Sequence, residues 1–371
     1  TELLNVYNDQ RGFTWIATGK GVVRYDGYEF KNYFSNSKKN VFLEGASYFY
    51  EDRDNTFWLM SGNGYLYQYD AQTDAFVYQK SKLENGWSAE NPLRIFEEKS
   101  GNIWLGGYGG LQYLDKRTDS LTLYPISKIR EAAWPHEEKI RFEVIQEDSK
   151  GILWLGTRKF GLVKFDPFQK KYSFFRDKPG YIDIKLDDSI TVFITADSAT
   201  FWIADYNVGL TKFNPITEEI VETLSFKEYA RNGENIYIRD ILSFGDYLLL
   251  ATDGSGLLIY NTLSQKVVQH FNNDSPVGQT TANHIKRIVM DKKANVWLID
   301  DKLRLGSVSY YGFQQLPFPE NVKDKSVYSL SASQMASSES KLIISTPKHT
   351  ILYDADKGTS TAKSYLLPQS T

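Results

Sequence analysis

Four histidines, His136, His270, His284 and His349, are the side chains whose ordinary pKa lies closest to neutrality. They stand far apart, with no i, i+4 pair and no spacing that would gather metal ligands. The chain has no cysteine, which excludes thiolate nucleophiles, disulfide scaffolds, Cys-based zinc sites and iron–sulfur ligation together. It also lacks a G-x-S-x-G elbow, a phosphate-binding glycine loop and an H-E-x-x-H pair. Carboxylates are plentiful, but Asp9, Asp26, Asp54, Asp148, Asp166 and Asp291 sit at turn positions, where aspartate caps its own backbone. They do not read as the flanking acid pair of a glycoside hydrolase. The expectation is a chain with no catalytic residue, no metal and no cofactor.

Binding chemistry is better supplied. Trp87, in LENGWSAENP, and Trp134, in REAAWPHEEK, lie in long polar connections. An indole exposed there must either pack on neighbouring strands as a lid or meet a ligand. The apolar C–H face of a sugar ring stacks on indole, while its hydroxyls seek planar amides, carboxylates and guanidinium groups. Tyr108, Arg158, Lys159, Tyr206, Asn207 and Asp253 supply such groups from short turns. Arg158 or Lys159 would suit an acidic sugar. For each turn residue the competing reading is plain solvated surface.

The elements that position these residues come from a repeat. Trp15, Trp58, Trp104, Trp154, Trp202 and Trp297 recur in one context, exemplified by FTWIATGKGVVRYDG and ILWLGTRKFGLVKFD. Leu249 holds the tryptophan slot in YLLLATDGSGLLIYN and Ile343 holds it in KLIISTPKHTILYDAD, so successive copies are 43 to 50 residues apart. Each copy has an alternating segment, a polar turn, the tryptophan strand, a tight turn (Gly21, Gly64, Gly110, Gly161, Gly209, Gly256), a second alternating strand and an aromatic strand. Four short strands per unit, with no helical period, predict an all-β propeller of four-stranded antiparallel blades. The six tryptophans are then structural wedges between blades.

The predicted blades span residues 1–35, 41–80, 92–126, 139–176, 189–225, 237–272, 284–318 and 326–368 of a single propeller covering 1–371. The last copy lacks both the tryptophan and the turn glycine, around Pro347–Thr350, and its final strand reads as 363–367. An eight-bladed ring is the simplest closure. The alternative is a seven-bladed ring followed by the first blade of a second propeller. In either, the turn between second and third strands and the long link between blades open on one face, so recognition belongs there.

Composition agrees. Of 371 residues, 41% are hydrophobic and 15% aromatic, enough for a large core and incompatible with disorder. Lys and Arg number 43 against 46 Asp and Glu, a balance of −3 without the basic excess that nucleic acid demands. No apolar run approaches 18 residues, so this piece is expected not to insert into a membrane. The chain opens in mid-pattern at Thr1–Glu2, placing any targeting segment outside it.

The unit D-x-x-G-x-x-W-[IL]-[AG]-T-x-x-G-[LV]-x-[RKQ]-[YF]-D, clearest from Asp9 to Asp26 and from Asp148 to Asp166, resembles the two-component regulator propeller repeat. That repeat forms the sensor region of hybrid two-component systems and related membrane regulators of Bacteroidetes. The resemblance covers nearly the whole chain and weakens in the last two copies. It implies a periplasmic, non-enzymatic domain that senses oligosaccharide from glycan breakdown, with other domains of the same sensor as partners. The family usually has two seven-bladed rings and a small β-sandwich, whereas eight units are present here. A second reading is a scaffold propeller whose sides form a homodimer or inter-domain surface, with ligand bound elsewhere. A third is a propeller lyase or glycan hydrolase, as in streptogramin-lyase-like propellers. That reading needs a convergent His and metal-binding carboxylates, which the spacing does not assemble.

Overall fold

The structure is a computed structural model. It describes residues 3–26, 28–36, 41–45, 48–61, 65–79, 94–107, 110–126, 140–158, 161–175, 190–195, 200–205, 209–230, 236–274, 283–290, 296–300, 305–309, 312–316, 329–333, 341–345, 349–354 and 359–364. Among them there is no α-helix, and one 3-10 turn at Lys227–Tyr229. Thirty-two strands form eight four-stranded antiparallel sheets, each ordered as in the chain. The sheets span 3–33, 48–79, 94–125, 141–174, 190–224, 237–271, 285–316 and 329–364, four-stranded units of the kind that the repeat predicts. The last strand is Thr359–Ser364, several residues ahead of the 363–367 expected from sequence.

Second strands such as Phe57–Met60 and Ile103–Gly107 are apolar on both faces because both faces are covered. Both are buried at every position. Glu219–Leu224, a fourth strand with only one sheet neighbour, alternates instead between exposed and half-buried. Burial on both sides gives a continuous hydrophobic run, and an edge gives alternation.

The tryptophans fill the space between consecutive sheets. Trp15 stacks on Phe57 of the second sheet at 4.8 Å and meets Tyr69 edge-on. Trp104 and Trp154 make the same edge contact with Phe165 and Phe213 of the sheets that follow them. Both are buried, as are Trp58 and Trp202, and Leu249 is buried in the equivalent slot. Each such ring stabilises its pair of sheets by roughly 2–3 kcal/mol. The side chains of Trp297 and Ile343 lie outside the described residues.

An acidic residue six places before the tryptophan holds the indole. Asp9 Oδ2 accepts Trp15 Nε1–H at 2.9 Å while its Oδ1 accepts the Arg11 and Phe13 amides. Asp52, Glu98 and Asp148 accept the indoles of Trp58, Trp104 and Trp154 in the same way. Turn capping therefore accounts for only half of what Asp9 and Asp148 do. In the second sheet the cap is Asp52, not Asp54; Asp54 instead donates its amide to Asp52. Asp26 and Asp166 cap their turns as expected, and Asp291 lies outside the described residues. The turn also needs a residue with positive φ, supplied by Gly12 (+89°), Gly101 and Gly151, and by Asn55 (61°) in the second sheet.

The chain packs as two compact units, Thr1–Pro92 with Arg287–Thr371, and Leu93–Lys286. In the first, Leu3–Asn8 lies against Ser329–Ser333 and Lys341–Ser345 on one side and against Tyr48–Glu51 on the other. The eighth repeat, despite its missing tryptophan and turn glycine, is thus a whole sheet beside the first. In the second unit the first strands of consecutive sheets, Arg94–Glu97, Arg141–Glu147, Ile190–Thr195 and Tyr237–Phe244, lie against one another.

Candidate functional site

Strand direction alternates, so the turn from second to third strand lies at the same end of a sheet as the segment entering the next sheet. The sixth sheet shows how that end is built. Thr252 closes the turn after Tyr247–Asp253 by donating from Oγ1 to the Gly256 carbonyl at 2.7 Å. Thr18 with Gly21 and Thr157 with Gly161 make the same closure at 2.8 Å, over three residues in the first case and four in the second, as in Thr252 with Gly256. Gly256 has φ +82°, and a Cβ there would lie 2.1 Å from the Phe271 carbonyl, so no other residue fits.

The segment leading to the seventh sheet is fastened onto this turn. The Gly254 and Gly256 amides both donate to the Asn283 carbonyl at 2.8 Å, and the buried Asn283 accepts the Asn273 amide through Oδ1. Asp253 pairs with His284 in an isolated bridge, and His284 donates from Nδ1 to Asp253 Oδ1. Arg239 donates from Nη2 to the other carboxylate oxygen. Burial pushes the Asp253 carboxyl up, but the hydrogen bonds from His284 and Arg239 outweigh it and hold the group below the usual carboxylate range. His270 joins from the fourth strand, its Nε2 at 2.6 Å from the Ser255 carbonyl.

Arg239 reaches Asp253 because the first strand carries an extra residue. The register between Tyr237–Phe244 and Tyr247–Asp253 shifts between Ile238 and Asp240. Similar shifts occur at Leu3/Asn5, Phe142/Val144 and Ile190/Val192, all at the same end of the first strand. A bulge re-aims a side chain that the strict alternation would send elsewhere. Carboxylate, guanidinium and half-exposed imidazole are thereby gathered at one rim, an array of hydrogen-bond donors around one acceptor.

Of the residues expected to bind, Asp253 is placed at this rim. Arg158 ends Leu153–Arg158 and pairs across the strands with Arg141, at the corresponding end of the fourth sheet; its side chain lies outside the described residues. Trp87, Trp134, Tyr108, Lys159, Tyr206 and Asn207 also lie outside them. Arg239, His284 and Asn283 are additional residues of the site. From sequence His284 is a candidate only for a catalytic or metal role, and a bulge that brings Arg239 to Asp253 leaves no mark in the sequence pattern.

No family model matches the chain. A histidine kinase P4 of Formosa agariphila is 25% identical over 272 residues, covering 70% of this chain and 18% of that protein. Among solved structures, the extracellular domain of a putative hybrid two component system from B. thetaiotaomicron matches with TM-score 0.58 and 21% identity, over 98% of this chain and 47% of that one. The computationally designed Ika8 protein matches with TM-score 0.61 and 9% identity, over 98% and 96% of the two chains. PorZ of Porphyromonas gingivalis, an essential surface component of the type-IX secretion system, matches with TM-score 0.51 and 12% identity, over 96% and 58%. The chain thus spans under a fifth of the curated relative and about half of the Bacteroides domain. Its fold is similar to that of the extracellular domain of the putative hybrid two component system from B. thetaiotaomicron.

Proposed function

We propose that the chain is a non-enzymatic extracytoplasmic sensor domain of a two-component or related membrane regulator, and that its turn-and-link rim binds oligosaccharide. The observation that carries this reading is the Arg239–Asp253–His284 array, in which a carboxylate and two donors are held at a rim by the buried Asn283. Such an array offers hydrogen-bond donors and an acceptor to ligand hydroxyls. The fold likeness to a hybrid two component system's extracellular domain supports the placement outside the cytoplasm. Among the described residues no helix is long and apolar enough to cross a membrane. Transmembrane and signalling segments elsewhere in the protein would carry the response.

A scaffold role is favoured by a different observation. Tyr28, Phe168 and Leu263 occupy the same position in the turn from third to fourth strand, at the end opposite the rim, and are 90%, 79% and 76% exposed. One calorimetric series separates the two. Titration with a panel of glycan fragments is expected to show binding that falls at least tenfold in Trp87→Ala, Trp134→Ala and Asp253→Ala. Silent titrations, together with a dimer in sedimentation that Phe168→Ser and Leu263→Ser dissolve, would replace the sensor rim with the scaffold.

A further inference from the structure

At the end of the first and second sheets that carries their turns from first to second and from third to fourth strand, a cleft of about 460 Å³ opens between the two. Its volume lies within the range of about 300–1,000 Å³ usual for small-molecule sites. Arg11 lines it from the first sheet, and Asn55, Thr56, Gln68, Gln72 and Val77 line it from the second. Arg11, Asn55 and Gln72 are exposed and Val77 is 44% exposed, so amides, a guanidinium and a small apolar surface face solvent together.

Comparison of the repeats shows that the fold does not require this lining. Asn55 takes a left-handed turn position that Gly12, Gly101 and Gly151 hold in the first, third and fourth sheets. Asparagine there is strained relative to glycine, so its amide is retained at a cost. Gln72 stands where the fourth sheet has Phe168, whose ring lies over Gly151 within 3.6 Å of where its Cβ would be. The fourth sheet thus covers its turn with a ring, while the second presents two amides and leaves a cleft.

The positive charge of the cleft is already compensated. Arg11 donates from Nε and Nη2 to the buried Asp9 and lies over the Tyr69 ring at 4.9 Å. Asp70, also in the lining, keeps its negative charge while it accepts the Gln72 amide and the Thr73 hydroxyl. That charge disfavours a phosphate, sulfate or uronate, whereas planar amides, a hydroxyl and an apolar patch suit an uncharged polyhydroxy ligand.

We propose that the cleft between the first and second sheets, lined by Arg11, Asn55, Thr56 and Gln72, is a binding site for neutral saccharide. The ligand class shares the glycan reading above, but the site is separate from the rim. Titration of the 371-residue chain with neutral trisaccharides (cello-, laminari-, xylo- and mannotriose) and with a uronate trisaccharide, followed by amide chemical shifts, tests it. The expectation is that at least one neutral sugar binds, shifting amides around Asn55 and Gln72, and that the uronate does not shift them. Asn55→Gly restores the residue of the other repeats and keeps the fold, yet is expected to weaken that binding about tenfold, as is Gln72→Ala. Val221→Ser, at an exposed position of the fifth sheet, is expected to leave it unchanged. Neutral-sugar binding that survives Asn55→Gly and Gln72→Ala but falls in Asp253→Ala would overturn the cleft and keep the rim. Absence of any shift at Asn55 and Gln72 across the neutral panel would overturn it outright.

Discussion

An acid six residues ahead of Trp15, Trp58, Trp104 and Trp154 is the smallest unit of this structure. One aspartate accepts two turn amides and one buried indole N–H, so its removal strands three donors at once. Buried donors without partners cost about 1–3 kcal/mol each, partly relieved by relaxation and water. Asp52→Ala is therefore expected to destabilise by about 3 kcal/mol in urea unfolding, whereas Asp54→Ala, two residues away and exposed, should change stability by under about 0.5 kcal/mol. Equal effects would show that the indole bond carries no weight. The pairing was visible in the sequence as D-x-x-x-x-x-W, but turn chemistry alone explained an Asp at those positions, so the second role of Asp9 and Asp148 was hidden. Asp54 was misassigned for the same reason: Asp52 and Asp54 are both plausible turn acids, and only the i, i+6 reach to Trp58 separates them.

Between elements, charged residues clasp one sheet to the next. Arg24 on the third strand of the first sheet donates to Asp74 in a turn of the second, and Lys164 pairs with Glu218 in the same way one sheet further along. Asp74 also receives Tyr33, Tyr69 and Lys31. Burial would raise its pKa, but the bonds from Lys31, Tyr33 and Tyr69 and the charge of Arg24 bring it well below the usual range. A carboxyl depressed in the folded state stabilises fully above its unfolded pKa of about 3.9, and that contribution is lost as pH falls through the folded value. Asp74→Asn is expected to cost about 2 kcal/mol at pH 7, with the gap from the parent narrowing below pH ~4. A gap independent of pH would show that the charge is irrelevant. This clasp was not legible from sequence, because its partners lie 50 residues apart and in solvated-looking turns.

For the molecule as a whole, the sensor reading depends on a chain whose eighth repeat completes the first unit. Leu3–Asn8 is covered on one side by Ser329–Ser333 and Lys341–Ser345. Deleting residues 329–371 should expose that strand and raise amide exchange across the first sheet at least tenfold, while Tyr247–Asp253 in the second unit keeps its protection. Unchanged exchange in the first sheet would mean that the eighth repeat is dispensable and belongs to a separate assembly. The rim and the cleft are likewise properties of the assembled sheets, since each draws its residues from segments distant in the chain.

Periodicity by itself determined the class of fold, the four-strand unit, the wedges and the tight glycine turns, because each is a local requirement repeated until chance is excluded. Trp15, Trp104, Trp154 and Trp202 were placed correctly because a strand covered on both faces must be apolar throughout. Only the tertiary structure decided which polar residues meet: Arg239 with Asp253 through a bulge, His284 with Asp253 across two sheets' connection, Arg24 with Asp74 between sheets. A hydrogen bond is short-ranged and directional, and the repeat that specifies each sheet carries no record of which side chains on its neighbour come within reach.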